Sequence, residues 1–196
     1  MGKKVITISR EFGSGGRVIG EAVAKKLGYK YYDKDIIEKV AEETGFSKEF
    51  IEKRGEYANS KNIFAYAFSG RDASGMSIED YVFNAQRKIV LDIASEGNAV
   101  IVGRCADYIL RENQDVINIF IIGNMDKKIE RIMKLYSLNE SDAKKLIKDM
   151  DKKRSINYNY YTDRVWGKSH NYAMTLNSSL IGMEQCIDII SGLVEK

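Results

Sequence analysis

The sequence predicts an α/β domain built on a parallel sheet, and three short apolar runs carry this prediction. The runs cover residues 5–8, 99–102 and 116–122. They are nearly continuous and rich in β-branched residues, as expected for strands that are buried on both faces. Each run is soon followed by glycine, and the chain between them is long enough to hold the helical crossovers that parallel strands require.

Helical patterns fill these crossovers. The apolar stripes are Ile19, Val23, Ala24 and Leu27 in one helix and Val82, Ala85, Ile89 and Ile93 in another. Their spacings of three and four residues are typical of amphipathic helices. Gly28 is a plausible stop for the first helix, and the second ends before Gly97. Residues 31–33 look like the end of a further short strand.

Residues 34–80 show no convincing strand pattern. They predict a helix from about residue 35 to 43, a second helix from about residue 48, and a Gly/Ser-rich loop through residues 69–75. This is too much chain for a simple connection. We therefore expect an inserted helical lobe here.

A helical hairpin is predicted beyond Gly123, with arms at residues 126–136 and 140–155 joined by a turn. Asn139 is a candidate N-cap for the second arm. The second arm carries a buried stripe of Ala143, Leu146, Ile147 and Met150 opposite Lys144, Lys145, Lys148 and Lys152. A last strand ends near Leu176, and a closing helix covers residues 183–194.

Composition narrows the class of protein. The chain has 196 residues, 31 Lys plus Arg against 28 Asp plus Glu, two cysteines and one histidine. This length suggests one domain, and the near-balanced charge gives no global nucleic-acid footprint. The cysteines cannot make a disulfide scaffold, and no apolar run approaches the length of a membrane span. We expect a cytoplasmic protein without membrane or nucleic-acid partners. The sequence does not determine its oligomeric state.

A glycine-rich loop between the first strand and the first helix is the clearest functional signal. Glycines at positions 13, 15 and 16 let backbone N–H groups converge on an anion, and the helix N-terminus adds positive potential. Arg17 adds a cation beside them. The alternative is a tight turn that binds nothing. The P-loop pattern Gly-x4-Gly-Lys-Ser/Thr is not met, because no lysine and no Ser/Thr follow the loop. The dinucleotide pattern Gly-x-Gly-x-x-Gly is not met either, because Val18 stands where its third glycine belongs.

Five segments, in order, resemble the cytidylate-kinase-like branch of the P-loop nucleoside monophosphate kinases. They are residues 8–17, 31–33, 100–108, 160–162 and 176–179. The resemblance implies a three-layer α/β P-loop NTPase fold with a parallel sheet, a helical acceptor lobe and a helical lid. Within a single kinase domain of residues 1–196, the implied core is residues 1–33, 91–134 and 166–196. The implied acceptor lobe is about residues 34–90, and the lid is about residues 135–165.

The resemblance also implies a donor site. The residues that would hold the phosphates of ATP are Gly13, Ser14, Gly15, Gly16, Arg17 and Val18. Gly16 stands where the family has its Walker lysine, so Arg17 is the nearest candidate substitute, although arginine differs from lysine in shape and reach. Mg²⁺ with ATP is the expected cofactor, and no metal ligand is assigned because the usual Ser/Thr is missing.

For the acceptor, the implied contacts are Asp33, Lys34, Lys39, Arg104 and Asp107. Arg104 matches a Gly-Arg-Asp segment in which Cys105 replaces the aspartate and Asp107 comes two residues later. Two simpler interpretations remain open. In the first, Arg104 and Asp107 pair with each other and only stabilise a loop. In the second, Asp33 caps a helix and the lysines after it are solvated.

The implied catalytic arginines are Arg154 and Arg164 in the lid and Arg131 on the preceding helix, besides Arg17. Asp151, three residues before Arg154, shares its helix face and can orient the guanidinium. The alternatives are a mixed-charge solvated face and a tyrosine cluster that only packs the lid on the core.

The resulting hypothesis is transfer of the ATP γ-phosphoryl group to a nucleoside monophosphate, with CMP or dCMP as first guess. One alternative is a kinase-like protein that uses a different small-molecule acceptor or only senses nucleotide. The other is a dinucleotide-binding oxidoreductase that uses Gly13, Gly15 and Asp33, the last of which follows Gly13 by twenty positions.

Overall fold

The computed structural model describes residues 4–54 and 77–194. Five strands in these ranges form one parallel sheet: β1 Val5–Arg10, β2 Lys30–Tyr32, β3 Ala99–Val102, β4 Val116–Ile122 and β5 Met174–Asn177. Their order is β2-β3-β1-β4-β5, with every pair parallel. The predicted α/β class is confirmed. The order is neither of the two common doubly wound orders that bind dinucleotides and flavins.

The helices of the described ranges follow the predicted crossovers. They are α1 Gly16–Leu27, α2 Asp35–Thr44, α3 Lys48–Arg54, α4 Ile78–Glu96, α5 Ala106–Ile109, α6 Met125–Tyr136, α7 Glu140–Tyr161, α8 Ser178–Ile181 and α9 Met183–Gly192, with a 3₁₀ turn at Ser169–Asn171. Gly28 ends α1 in the left-handed conformation, with φ of 67°, as its type predicts. The predicted loop at residues 69–75 lies outside the described residues.

The sheet is buried on both faces, which makes the domain three-layered. In β3, Ala99 and Ile101 face a core shared with α2, α4 and α5. Val100 and Val102 point the other way, into a core shared with α1 and α9. This alternation is the two-residue period of a strand with apolar neighbours on each side. It explains why the strands are continuous apolar runs in the sequence.

Helices α6 and α7 form the predicted hairpin around a small core of their own, which contains Ile132 and Ile147. Asn139 caps α7 by accepting a hydrogen bond from the N–H of Asp142 at 2.9 Å. The predicted end of this arm at residue 155 is wrong, because α7 continues to Tyr161. Tyr158 is buried against the sheet core, and that packing extends the helix through a polar stretch that looked like its end.

Within the described ranges, no helix is both long and apolar enough to cross a membrane. Both cysteines, Cys105 and Cys186, are buried and free. His170 lies in the exposed 3₁₀ turn.

Candidate phosphate-binding site

The glycine loop connects β1 to α1 at the carboxyl edge of the sheet. Gly13 and Gly15 have φ of 81° and 85°, a left-handed conformation that glycine adopts without steric cost. Gly15 is the N-cap of α1, and its carbonyl accepts the N–H of Ile19 at 3.0 Å. The N-terminus of a twelve-residue helix therefore opens at the loop, and it favours an anion there.

One side chain of the loop and two from distant parts of the chain hold the loop in this shape. Ser14 is fully buried, and its hydroxyl donates to the carbonyl of Glu11 at 2.9 Å. The hydroxyl of Ser178 donates to the carbonyl of Ser14 at 2.5 Å, and Nη1 of Arg131 donates to the carbonyl of Gly13. These bonds give the loop a fixed shape before any ligand is bound.

A buried ion network joins the loop to the helical hairpin. Lys128 of α6 is only 3% exposed, and its Nζ lies 3.0 Å from Oε2 of Glu11 and 3.2 Å from Oδ2 of Asp151. The N–H of Phe12 donates to Oδ1 of Asp151 at 2.6 Å. Burial raises the pKa of Asp151, while the Phe12 N–H and Lys128 oppose that rise. The network fixes α7 relative to the loop.

Sequence reasoning assigned no role to Glu11 or Lys128. Lys127 and Lys128 look alike in the sequence, as two lysines in the first turns of a surface helix. One signal was available, because Lys128 precedes the buried Ile132 by four residues and so shares its face of α6.

The loop, α1 and the hairpin enclose a cleft of about 470 Å³. Its basic lining residues are Arg10, Arg17, Lys34, Arg131 and Arg154. Its apolar lining residues are Phe12, Val18, Ile132, Leu135, Tyr136, Leu146 and Met150. Glu11 and Glu52 are its acidic members. A cleft of this size accommodates a small ligand, and the cations suit a ligand that carries phosphate.

Arg154 reaches this cleft from α7 and is buried, so it does not belong to a solvated face. Its Nη1 donates to the carbonyl of Arg10 at 3.0 Å and lies 3.8 Å from Oδ1 of Asp151. Arg164 is placed differently. Its guanidinium carbon lies 5.5 Å from the ring centroid of Tyr108, and it is not among the residues that line the cleft.

Asp33 lies beside the basic end of the cleft. Its Oδ2 is 2.5 Å from Nε of Arg17, and its Oδ1 is 4.0 Å from Nη2 of Arg10. The N-cap of α2 is Lys34, so Asp33 binds arginine and does not cap that helix. Lys34 lines the cleft, whereas Lys39 lines a separate depression with Glu42 and Glu43.

The strand end at Gly103 makes an unusual turn, since Gly103, Arg104 and Cys105 have φ of 73°, 61° and 53°. Two successive non-glycine residues in this region are uncommon and need support from their surroundings. Gln86 supplies part of it, because its Nε2 donates to the carbonyl of Arg104 at 3.1 Å. Arg104 is buried and lines a cavity of about 20 Å³ together with Arg10.

Asp107 lies behind this turn. Its Oδ2 accepts the hydroxyl of Tyr158 at 2.7 Å, and its Oδ1 accepts the hydroxyl of Ser9 at 3.4 Å. Burial raises the pKa of Asp107, partly opposed by these hydrogen bonds. The carboxyl group thus links β1 to α7. Nearby, the ring of Tyr161 stacks on Phe83 with the ring centroids 4.0 Å apart, so the tyrosine cluster packs here on α4, within the implied acceptor lobe.

A family model described as the cytidylate kinase-like family matches residues 5–180. The chain belongs to this family. No curated protein matches this cytidylate kinase-like chain in sequence. A crystal structure of an uncharacterized protein from Eubacterium ventriosum ATCC 27560 is 25% identical, with 99% of each chain covered and a TM-score of 0.76.

Two other solved structures share the fold of this cytidylate kinase-like chain at lower identity. A shikimate kinase from Bacteroides thetaiotaomicron is 15% identical, with 98% of this chain and 99% of that chain covered and a TM-score of 0.56. A sugar kinase from Janibacter sp. HTCC2649 is 13% identical, with 99% and 95% covered and a TM-score of 0.53. The predicted P-loop kinase fold is confirmed, and family and fold are both kinase-like.

Proposed function

We propose that this protein transfers the γ-phosphoryl group of ATP to a small phosphate-bearing acceptor, with CMP or dCMP as the first candidate. One observation carries the proposal. The preformed glycine loop and the N-terminus of α1 open into a cleft whose lining includes five basic side chains. Phosphoryl transfer depends mainly on alignment and charge neutralisation, and both are what such a cleft supplies.

The donor phosphates would lie against the backbone of residues 13–16, where the helix N-terminus favours negative charge. Arg131 and Arg154 flank this position from α6 and α7. Because Arg154 is held by the Arg10 carbonyl and by Asp151, little reorganisation is needed before it meets a developing negative charge. The apolar wall that contains Phe12 and Tyr136 offers a surface on which a base can pack.

Mg²⁺ would enter with ATP, held mainly by phosphate oxygens and water, as is usual for this ion. The described residues contain no group of three or more His, Cys, Asp or Glu side chains placed to hold a metal. The hydroxyl of Ser14 is directed at the Glu11 carbonyl, and Val18 is apolar. We therefore assign no residue as a ligand of the metal. The chain would contribute its basic side chains, which contact the phosphates.

A different acceptor, or nucleotide sensing without transfer, is the second candidate. Cys105 stands where the resemblance leads one to expect an aspartate, and the nearby Asp107 is bonded to Tyr158 and Ser9. The acceptor side thus departs from the cytidylate kinase pattern at the residues that pattern uses. The shikimate kinase and the sugar kinase show that this fold also occurs in kinases named for other acceptors.

The test is ADP release from Mg-ATP with CMP, dCMP, UMP, AMP, shikimate and a hexose as separate acceptors. Turnover with one of the four nucleoside monophosphates supports the first candidate, with CMP or dCMP expected to be used best, and turnover with shikimate or the hexose alone supports the second. Calorimetric titration with ADP accompanies the assay. If the protein binds ADP but produces no ADP from ATP with any acceptor, the result supports nucleotide sensing. If it neither binds ADP nor produces it, both candidates are refuted.

A further inference from the structure

The position of the missing Walker lysine is closed to any side chain. A Cβ built on Gly16 would lie 2.5 Å from Cβ of Arg10 and 3.0 Å from its Cγ. Unlike Gly13 and Gly15, Gly16 is not among the residues with positive φ, so it is glycine because of space. Neither carbon at this contact is the mobile end of a side chain, so rotation cannot relieve the overlap.

The residue that occupies this space is itself a cation. Counting the pattern Gly-x4-Gly-Lys back from Gly15 places the first glycine at position 10 and the lysine at position 16. This chain has arginine at position 10 and glycine at position 16. The structure brings the two positions together, so the stem of Arg10 fills the volume from which a lysine at position 16 would start.

Arg10 is also positioned to act in the cleft. It is the last residue of β1, and it lines the cleft together with the glycines of the loop. Its carbonyl accepts Arg154, and its guanidinium lies 4.0 Å from Asp33. Arg17, the nearest cation in sequence, is 45% exposed at its side chain and forms a close ion pair with Asp33.

We propose that Arg10 supplies the positive charge that the Walker lysine provides in other P-loop kinases, through an exchange of glycine and cation between positions 10 and 16. The inference rests on the proposed nucleotide binding. It assigns a donor-phosphate contact to a residue that reaches the site from the strand before the loop instead of from the helix after it.

Calorimetric titration with ADP tests the charge. Arg10→Gln keeps most of the stem and removes the charge, and its affinity for ADP should fall tenfold or more, the effect of a lost charge-assisted contact. Arg10→Lys should retain part of the affinity. Arg111→Gln is the matched control, because Arg111 packs on Tyr108 and pairs with Glu112 outside the cleft.

The exchange itself is tested by combining substitutions. Gly16→Lys alone should lower the Tm and abolish ADP binding, because its stem meets Arg10. In Arg10→Gly/Gly16→Lys, both Tm and ADP affinity should recover relative to Gly16→Lys. If Gly16→Lys does not fold, a folded double variant that binds ADP gives the same support.

Failure of the proposed function can be distinguished from failure of this inference about Arg10. Wild-type protein that binds no ADP would refute the proposed function and this inference together. Wild-type binding that is unchanged in Arg10→Gln, or a double variant no better than Gly16→Lys, would refute the exchange and leave the proposed function standing.

Discussion

The two halves of α7 make different kinds of contact. In the first half, Ala143 and Ile147 are fully buried against α6, while Lys144, Lys145 and Lys148 on the other side are exposed. This half follows an ordinary amphipathic pattern. The second half buries the polar side chains of Arg154 and Tyr158 and half-buries that of Asp151, and all three make hydrogen bonds to residues outside α7.

The difference shows how a hairpin arm becomes part of a site. The first half contacts its neighbour in sequence, α6. The second half bonds to Phe12 and Arg10, which precede their partners by 139 and 144 residues. Because these bonds end at the loop and at β1, they hold Arg154 in a fixed position relative to the loop. Four measurements test this division of roles.

The largest expected effect is on catalysis, at Arg154 in the second half. Arg154→Ala should lower kcat about 10³-fold, the lower range for an arginine that stabilises a transferring phosphoryl group. Arg164→Ala should lower it less than tenfold, because Arg164 lies against Tyr108 and not in the cleft. Steady-state kinetics with the best acceptor measures both, and similar losses would place both arginines in the site.

The second effect is on stability, at the junction of the two halves. Lys128→Met leaves Glu11 and Asp151 without their shared cation, which should lower the free energy of unfolding by about 3 kcal/mol. Lys127→Met is the control, because its pair with Glu130 is exposed and worth less than about 1 kcal/mol. Urea unfolding of both variants measures the difference. Equal losses would mean that the buried network does not hold the junction.

The third effect concerns packing in the first half. Ile147→Val removes one methylene from a fully buried side chain and should cost about 1 kcal/mol of unfolding free energy. The KM for ATP should stay within about twofold of the wild-type value, since Ile147 contributes packing alone. Urea unfolding and steady-state kinetics measure the two quantities. A large rise in KM would show that the first half also sets the geometry of the cleft.

The smallest effect is a change in pH dependence at Asp107. Its pKa is raised above the ordinary 3.8 by burial, so the contribution of Asp107 to wild-type stability should decrease as pH rises from about 3.8 through the raised pKa. Asp107→Asn lacks this titration. The stability of the variant relative to wild type should therefore increase across that window and then level off. Urea unfolding from pH 4 to 8 measures it, and a constant difference would contradict the raised pKa.

Much of the fold could be predicted because burial on both faces leaves a local signature. Strands Ala99–Val102 and Val116–Ile122 have the bounds that their apolar runs predict. A strand between two helical layers must be apolar at nearly every position, so its ends are visible in the sequence. The end of α7 was missed because its second half is held by polar contacts, which no apolar period reports.

The candidate site could be predicted in part. The structure places Arg17, Lys34, Arg131 and Arg154 around the cleft, while Lys39 and Arg164 lie elsewhere. Sequence reasoning found the cations near the loop motif and on the lid. It could not tell which of these cations reach the cleft, because the distance from a side chain to a cleft depends on how helices pack.

The sequence by itself determined the layered α/β architecture, the glycine loop and the family, because each depends on residues that are neighbours in the chain or recur at a fixed spacing. Only the tertiary structure decided that Lys128 is buried while Lys127 is exposed, and that Arg10 fills the space at Gly16. The physical reason is that these properties belong to side chains that meet across elements. Their contacts are set by the direction in which β1 ends, α1 begins and α6 packs.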